Sequence, residues 1–254
     1  MTSPSRACFS QRIGVSITRV GSHTHGWWIL LHLVLFVFWL GGDLGVFWSS
    51  RFVLRPDLSP AARATALKIM GGLDLGPKIC LVLFLPSGVT LMALEPHGAT
   101  TFGVNPFSWP VVVAVWLLAA GWLAATITDH HHPGRRPWVR RADWTIRLGL
   151  IAALGVTAVY TLVAAQPFGV DTNPRWLGAK LLLYTVAIAC GLGIRLTLRP
   201  FGAAFGTLMT TGSTPEVETA MKRSIDGCLP YVWGIWGSVL AAAALGVLKP
   251  FAEL

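Results

Sequence analysis

The sequence predicts an all-α membrane protein, a polytopic bundle of about six transmembrane helices with almost nothing outside the bilayer. Of its 254 residues, 54% are hydrophobic and only 12% are charged, whereas charged residues make up about a quarter of a typical soluble domain. The apolar residues fall in blocks of about 20, which is the length that crosses a bilayer. Because backbone groups in lipid must be paired within their own segment, each block is predicted to be a helix.

Six spans follow from these blocks, at residues 26–48, 72–94, 107–128, 144–165, 176–198 and 229–249. Residues 1–25 form a polar tail that lacks the apolar stretch of a signal peptide, and we expect it to be disordered or to lie on the membrane surface. Residues 26–254 then form a single transmembrane domain. Pro86, inside the second span, predicts a kink.

One segment between the fifth and sixth spans has the pattern of a short surface helix. Thr214 is suited to the N-cap, Pro215 to the first helical position and Gly227 to the stop signal. Glu218 and Lys222 are four residues apart, the spacing of an ion pair on one helix face.

The net charge of +9 does not indicate a nucleic-acid partner, because the basic residues lie in short loops between apolar blocks, where they act as topology signals. The three basic regions follow spans one, three and five, and we expect them on the cytoplasmic side. Both termini would then be periplasmic in a bacterial inner membrane. The basic residues are Arg51, Arg55, Arg63 and Lys68; Arg135, Arg136, Arg140 and Arg141; and Arg195, Arg199, Lys222 and Arg223.

An ionisable residue inside a span is a functional-site hypothesis by default, and the predicted topology sorts four of them into two layers. Asp43 and Lys78 lie near the cytoplasmic end and are predicted to form a structural ion pair. Lys78 has Asp74, one helical turn away, as an alternative partner.

The outer layer contains His32 and Lys180, each about five residues, or roughly 7–8 Å, below the outer surface. A neutral imidazole can bind a metal or a haem iron, and an ammonium group suits a carboxylate. The alternative is a structural His32 that hydrogen-bonds to a neighbouring helix. Met92, at a similar depth in the second span, is a candidate second axial ligand.

Two further histidine features are weaker candidates. The run from His130 to His132 lies in a basic loop, and adjacent residues do not converge on one helix face, which favours a surface loop over a metal site. His97, in a predicted outer loop, is at most a weak candidate for a copper or proton role.

Short motifs in four of the spans resemble the HemJ-type protoporphyrinogen oxidase family. "HLVLFVFWLGG", from His32 to Gly42, is similar to the first span of that family, in which a His is followed by a Trp seven residues later, by Gly and then by an Arg, here Arg51. "WLGAKLLL" is similar to its Trp-Leu-X-X-Lys-Leu segment, with Lys180 as the Lys. "RSIDGCLPYVW" and "LKPF" resemble the start and end of its last span. Gly191 stands where the family has a His.

The resemblance covers spans one, two, five and six and leaves an inserted hairpin at about residues 100–165. It implies that His32 binds the iron of haem b, with Trp39 also at the cofactor, and that Lys180 engages a porphyrin carboxylate. Arg51 would add positive charge on the cytoplasmic side. The implied activity is porphyrinogen oxidation or membrane electron transfer.

Two other functions stay open. The wider CopD-like membrane families share the His and Trp-X-Gly-Gly start, which implies copper handling or transport as an alternative to haem chemistry. The third possibility is a non-catalytic membrane subunit of a larger complex. In each case the partners expected are membrane lipid and a homo-oligomer or membrane complex.

Overall fold

The computed structural model describes residues 5–94, 107–165, 167 and 174–248, with side chains from residue 24 onward. These ranges contain helices and no strand. The helices are α1 (Ser5–Val53), α2 (Pro60–Leu94), α3 (Trp109–His131), α4 (Pro137–Val163), α5 (Arg175–Thr197), α6 (Arg199–Thr211), α7 (Pro215–Asp226) and α8 (Leu229–Leu248).

Six stretches of helix are long and apolar enough to cross a membrane, so the described part of the chain is a polytopic all-α membrane bundle, as predicted. Each predicted span overlaps one of these stretches. Large apolar side chains remain exposed around the bundle, for example Leu117, Val156 and Val163, as expected where lipid covers the surface. The stretches are Thr24–Val53, Pro60–Leu94, Trp109–His131, Pro137–Val163, Arg175–Thr211 and Pro215–Leu248.

The helices pack in chain order around a shared core. Helix α1 packs on α2, α2 on α3, α3 on α4, α4 on α5 and α5 on α8, and α8 returns to contact α1. Trp39, Val82, Trp122 and Ile188 are almost fully buried in this core. The hydroxyl group of Tyr184 on α5 donates a hydrogen bond to the carbonyl of Leu81 on α2 (2.7 Å), which joins the two helices at the centre.

A second core lies apart from the first, in a segment that we call the helical extension: the end of α1, the start of α2, α6 and α7. The 35 residues of α2 extend over about 52 Å, compared with about 30 Å for the hydrocarbon core. The buried residues of the second core are Val53, Phe201, Phe205, Leu208, Val217, Met221 and Ile225.

Arg63 holds the helical extension together. Its side chain is 1% exposed, and its Nε donates to the carbonyl of Val53 at the end of α1 (2.7 Å). Its Nη1 and Nη2 donate to the two carboxylate oxygens of Glu218 on α7 (2.6 and 2.9 Å). The predicted pairing of Glu218 with Lys222 is therefore wrong, and Lys222 pairs with Asp226 instead. A bidentate guanidinium is a stronger partner for a carboxylate than one ammonium.

The predicted start and end of α7 are confirmed. Thr214 is the N-cap and its hydroxyl accepts a hydrogen bond from the Val217 N–H, Pro215 follows it, and Gly227 ends the helix. However, α7 is more than a surface helix, because Val217 and Met221 are buried in the second core.

Helix α1 begins at Ser5, within the predicted N-terminal tail. It continues unbroken into the first span, so residues 5–25 are helical, and the location of the tail on the membrane surface stays a prediction. No proline interrupts this helix, and a formed span allows the chain before it to propagate the same helix. Helix α2 continues through Pro77 and Pro86, and the kink at Pro86 stays a prediction. His97 lies outside the described residues.

Helices α1 and α2 approach each other closely at two glycines of α1. A Cβ atom on Gly42 would lie 2.6 Å from Cδ of Pro77, and one on Gly45 would lie 2.9 Å from a Leu73 methyl carbon. Small residues allow this kind of close helix packing in membranes. The neighbouring Gly41 has nothing within 4 Å of its Cβ position. A methyl group added at Gly41 would therefore meet no neighbouring atom, unlike one added at Gly42.

We therefore expect Gly42→Ala to destabilise the bundle by about 1–3 kcal/mol, because the new methyl group overpacks against the Pro77 ring. Gly41→Ala is the matched control and should leave stability nearly unchanged. Thermal unfolding of the two detergent-purified variants makes the comparison. Equal melting temperatures would show that the helices do not meet at Gly42.

Candidate functional site

His32 packs against one turn of α2. The centroid of its ring lies 4.5 Å from that of Phe84, and its Nδ1 lies 2.8 Å from the hydroxyl oxygen of Ser87. A Cβ atom on Gly88 would lie 3.7 Å from its Cε1. The side chain of His32 is half-buried, so the neighbouring helix orients the ring without enclosing it.

The Ser87 hydroxyl connects His32 to the backbone of α2. It lies 2.7 Å from the carbonyl oxygen of Leu83 and 3.1 Å from that of Phe84. When its single hydrogen is donated to one of these carbonyls, the Ser87 oxygen can accept from Nδ1–H of His32. In that tautomer a neutral imidazole has no second N–H, so Nε2 of His32 has a lone pair and can act as a ligand.

Lys180 lies close enough to His32 for its charge to act on the imidazole. It extends from α5 towards α8, where a Cβ atom on Gly246 would lie 2.8 Å from its Nζ. We call His32, Ser87 and Lys180 the His32 site. Met92 lies one helical turn beyond Gly88 on α2 and is half-buried; its role as a second ligand stays a prediction.

The other two residues suggested by the resemblance lie elsewhere. Trp39 is 3% exposed, and its ring packs edge-on against Phe84 at 5.2 Å, so Phe84 contacts both Trp39 and His32. Arg51 is about 28 Å from His32 along α1. There its guanidinium lies over the Phe47 ring at 4.7 Å and 4.0 Å from the carboxylate of Asp226, so the structure does not bring Arg51 to the His32 site.

The predicted ion pair between Asp43 and Lys78 is wrong. Lys78 pairs with Asp74, the alternative partner one turn earlier on the same helix. The indole groups of Trp39 and Trp236 lie near Asp43. An i,i+4 pair forms within one helix, whereas a pair with Asp43 would require Lys78 to reach across to α1.

The buried carboxylate of Asp143 is the centre of a polar cluster that the sequence analysis did not predict. Asp143 is 0% exposed and Arg147 is 2% exposed. Asp143 accepts hydrogen bonds from Trp122 Nε1 (2.8 Å) and Thr126 Oγ1 (3.4 Å) on α3. It also accepts from Arg147 Nε (3.1 Å) and from Arg195 Nη1 on α5 (2.5 Å). We call these five residues the Asp143 cluster.

This cluster lies in the hairpin that the sequence analysis describes as inserted. The predicted fourth span begins at residue 144, which leaves Asp143 in the preceding loop. Asp143 and Arg147 are four residues apart, and that spacing in the first turns of an apolar helix was the available signal.

No metal centre emerges from side-chain grouping. Among the described residues, no three His, Cys, Asp or Glu side chains are grouped so that they could hold a metal ion. The rings of His130 and His131 are 5.3 Å apart, within a part of the chain that ends α3.

The described chain is thus a polytopic all-α membrane protein whose bundle contains two polar centres, the His32 site and the Asp143 cluster. No protein-family model matches the chain, and no curated protein or solved structure matches it significantly.

We expect Asp143→Ala to lower the free energy of unfolding by about 3–5 kcal/mol, because it leaves the guanidinium of Arg147 buried without its carboxylate. Asp129→Ala is the control, since Asp129 lies near the same hairpin and makes only a 4.0 Å contact with exposed Arg140; its effect should stay within about 1 kcal/mol. Denaturant titration in detergent compares the two variants. A small effect at Asp143 would contradict its structural role.

Proposed function

We propose that this protein is a HemJ/CopD-like membrane protein that binds haem b through Nε2 of His32 and takes part in porphyrinogen oxidation or membrane electron transfer. The hydrogen bond between Nδ1 of His32 and the Ser87 hydroxyl (2.8 Å) supports this proposal most directly. Histidines that bind metals almost always donate their other ring N–H to an oxygen, which fixes the tautomer and the ring orientation. Ser87 fulfils that requirement here.

The surroundings of His32 fit a porphyrin in chemistry. Phe84 offers an aromatic face beside the imidazole, and Gly88 adds no side chain there. Lys180, whose charge acts on His32, supplies an ammonium group for a porphyrin carboxylate. The buried ring of Trp39 behind Phe84 keeps water from that side of the site.

In this proposal the haem supplies one-electron transfer, and the protein supplies position and charge. Ser87 orients the imidazole, Lys180 binds a carboxylate and Phe84 packs against the ring of His32. We also propose that the protein lies in a bacterial inner membrane with its basic loops in the cytoplasm. The His32 site is then in the periplasmic half of the bundle, and Arg51 lies on the opposite side.

Protein purified from cells supplied with haem should show a Soret band, and His32→Ala should abolish it because the nitrogen that would bind the iron is lost. His131→Ala is the control, since His131 is exposed at the end of α3, and it should retain the band. The measurement is the visible spectrum of each detergent-purified protein. A colourless wild-type protein, or an unchanged band in His32→Ala, would refute the proposal.

Ser87→Ala should keep the iron ligand but lose its orientation, and haem affinity should fall about 10- to 100-fold. Thr65→Ala is matched to it, because Thr65 is on the same helix and its hydroxyl bonds the carbonyl of Ala61 in the same way (3.1 Å), at an exposed position. Haem titration monitored at the Soret maximum gives both affinities. Equal affinities would mean that Ser87 does not orient the ligand.

A further inference from the structure

The Asp143 cluster contains more positive than negative charge. Two guanidinium groups, from Arg147 and Arg195, share the single carboxylate of Asp143. Both oxygens of that carboxylate are already occupied, since they accept from Trp122, Thr126 and the two arginines. Asp143 therefore has no acceptor capacity left for the outer edge of Arg147, the edge formed by Nη1 and Nη2.

That outer edge is incompletely bonded. Nη2 of Arg147 is buried and has no hydrogen-bond partner in the described part of the chain. The hydroxyl of Tyr184, which lies near enough to interact electrostatically with Arg147, is directed to the carbonyl of Leu81. A buried charged donor without an acceptor is costly, so this edge is suited to an acceptor from outside the chain.

Arg63 shows what a complete set of bonds looks like in this protein. It is as deeply buried as Arg147, and its Nε, Nη1 and Nη2 all have oxygen acceptors, one carbonyl and two carboxylate oxygens. Arg147 uses only Nε in this way. The contrast sets the outer edge of Arg147 apart from a purely structural guanidinium.

The outer edge faces a residue without a side chain. A Cβ atom on Gly191 of α5 would lie 3.9 Å from Nη1 of Arg147, and the guanidinium carbon lies 5.3 Å from the centre of the Trp122 ring. Arg147 is about 15 Å along α4 from its start. The Arg195 side chain is 22% exposed and provides contact with the outside.

We propose that Arg147 and Arg195 bind an oxyanion with one negative charge, a carboxylate or a phosphodiester, beside Gly191 between α4 and α5. One such charge balances the cluster. The planar edge of a guanidinium matches two oxygens of a carboxylate or phosphate group. The anion comes either from a lipid headgroup or from solution, and basic pockets between transmembrane helices are suited to anionic headgroups.

The test uses the full-length, delipidated protein in a neutral detergent at constant ionic strength. Its melting temperature is measured against increasing dioctanoylphosphatidylglycerol and, separately, against sodium acetate, because a ligand of the native state raises it. Saturable stabilisation by the lipid alone assigns a headgroup, and stabilisation by acetate assigns a free carboxylate. No saturable shift with either probe would overturn the proposal.

Variants separate this site from general surface binding. Arg147→Lys keeps the charge but loses the planar edge, and Gly191→Leu fills the space beside it; each should weaken the apparent affinity at least about tenfold. Gly149→Leu is the control, because Gly149 is on the same helix as Arg147 with nothing within 4 Å of its Cβ position. Gly191→Ala, a milder change, serves if Gly191→Leu does not fold. Wild-type affinity in both the Arg147 and the Gly191 variants would overturn the proposal.

Discussion

The burial of one carboxylate, that of Asp143, constrains the rest of the bundle. A carboxylate removed from water is tolerated only where donors surround it, and here the donors come from three helices. Trp122 and Thr126 approach from α3, Arg147 lies on the same helix, and Arg195 approaches from α5. Because these donors must converge, α3, α4 and α5 have little freedom to shift, and α5 in turn positions Lys180 beside α8 and Tyr184 against α2.

Two hydrogen bonds made by helix α2 connect α5 to the His32 site. The carbonyl of Leu81 on α2 accepts a hydrogen bond from the Tyr184 hydroxyl of α5. The hydroxyl of Ser87 on α2 is hydrogen-bonded to Nδ1 of His32 on α1. The two bonds are less than two turns apart on the same helix, and α1 is held against that helix at Gly42 and Pro77. The relative position of α1 and α5, which contain His32 and Lys180, therefore depends on these contacts and on the cluster around Asp143.

The sequence predicts the spans well, because hydrophobic length alone determines them. It also predicts a similar depth for His32 and Lys180, because helix rise is regular. It fails where partners are chosen between helices. Lys78 pairs with Asp74 on its own helix. Glu218 pairs with Arg63, which lies 155 residues away in the sequence. Asp143 was missed for a related reason. A charged residue at the end of an apolar block has the pattern of an interfacial residue, and the sequence does not show that Arg195, 52 residues later, approaches it.

The position of Gly191 connects the two polar centres with the family relationship that we propose. Where the HemJ-type family has a histidine, this chain has Gly191, and the guanidinium of Arg147 lies beside it at 3.9 Å from the Cβ position. The cation at this place thus comes from the hairpin formed by α3 and α4 and not from α5. A side chain at residue 191 would begin in van der Waals contact with Nη1 of Arg147, so a histidine there would lie next to the guanidinium. If the proposed relationship holds, a permanent positive charge from the hairpin, with Asp143 as its counter-ion, would lie where the family has an imidazole.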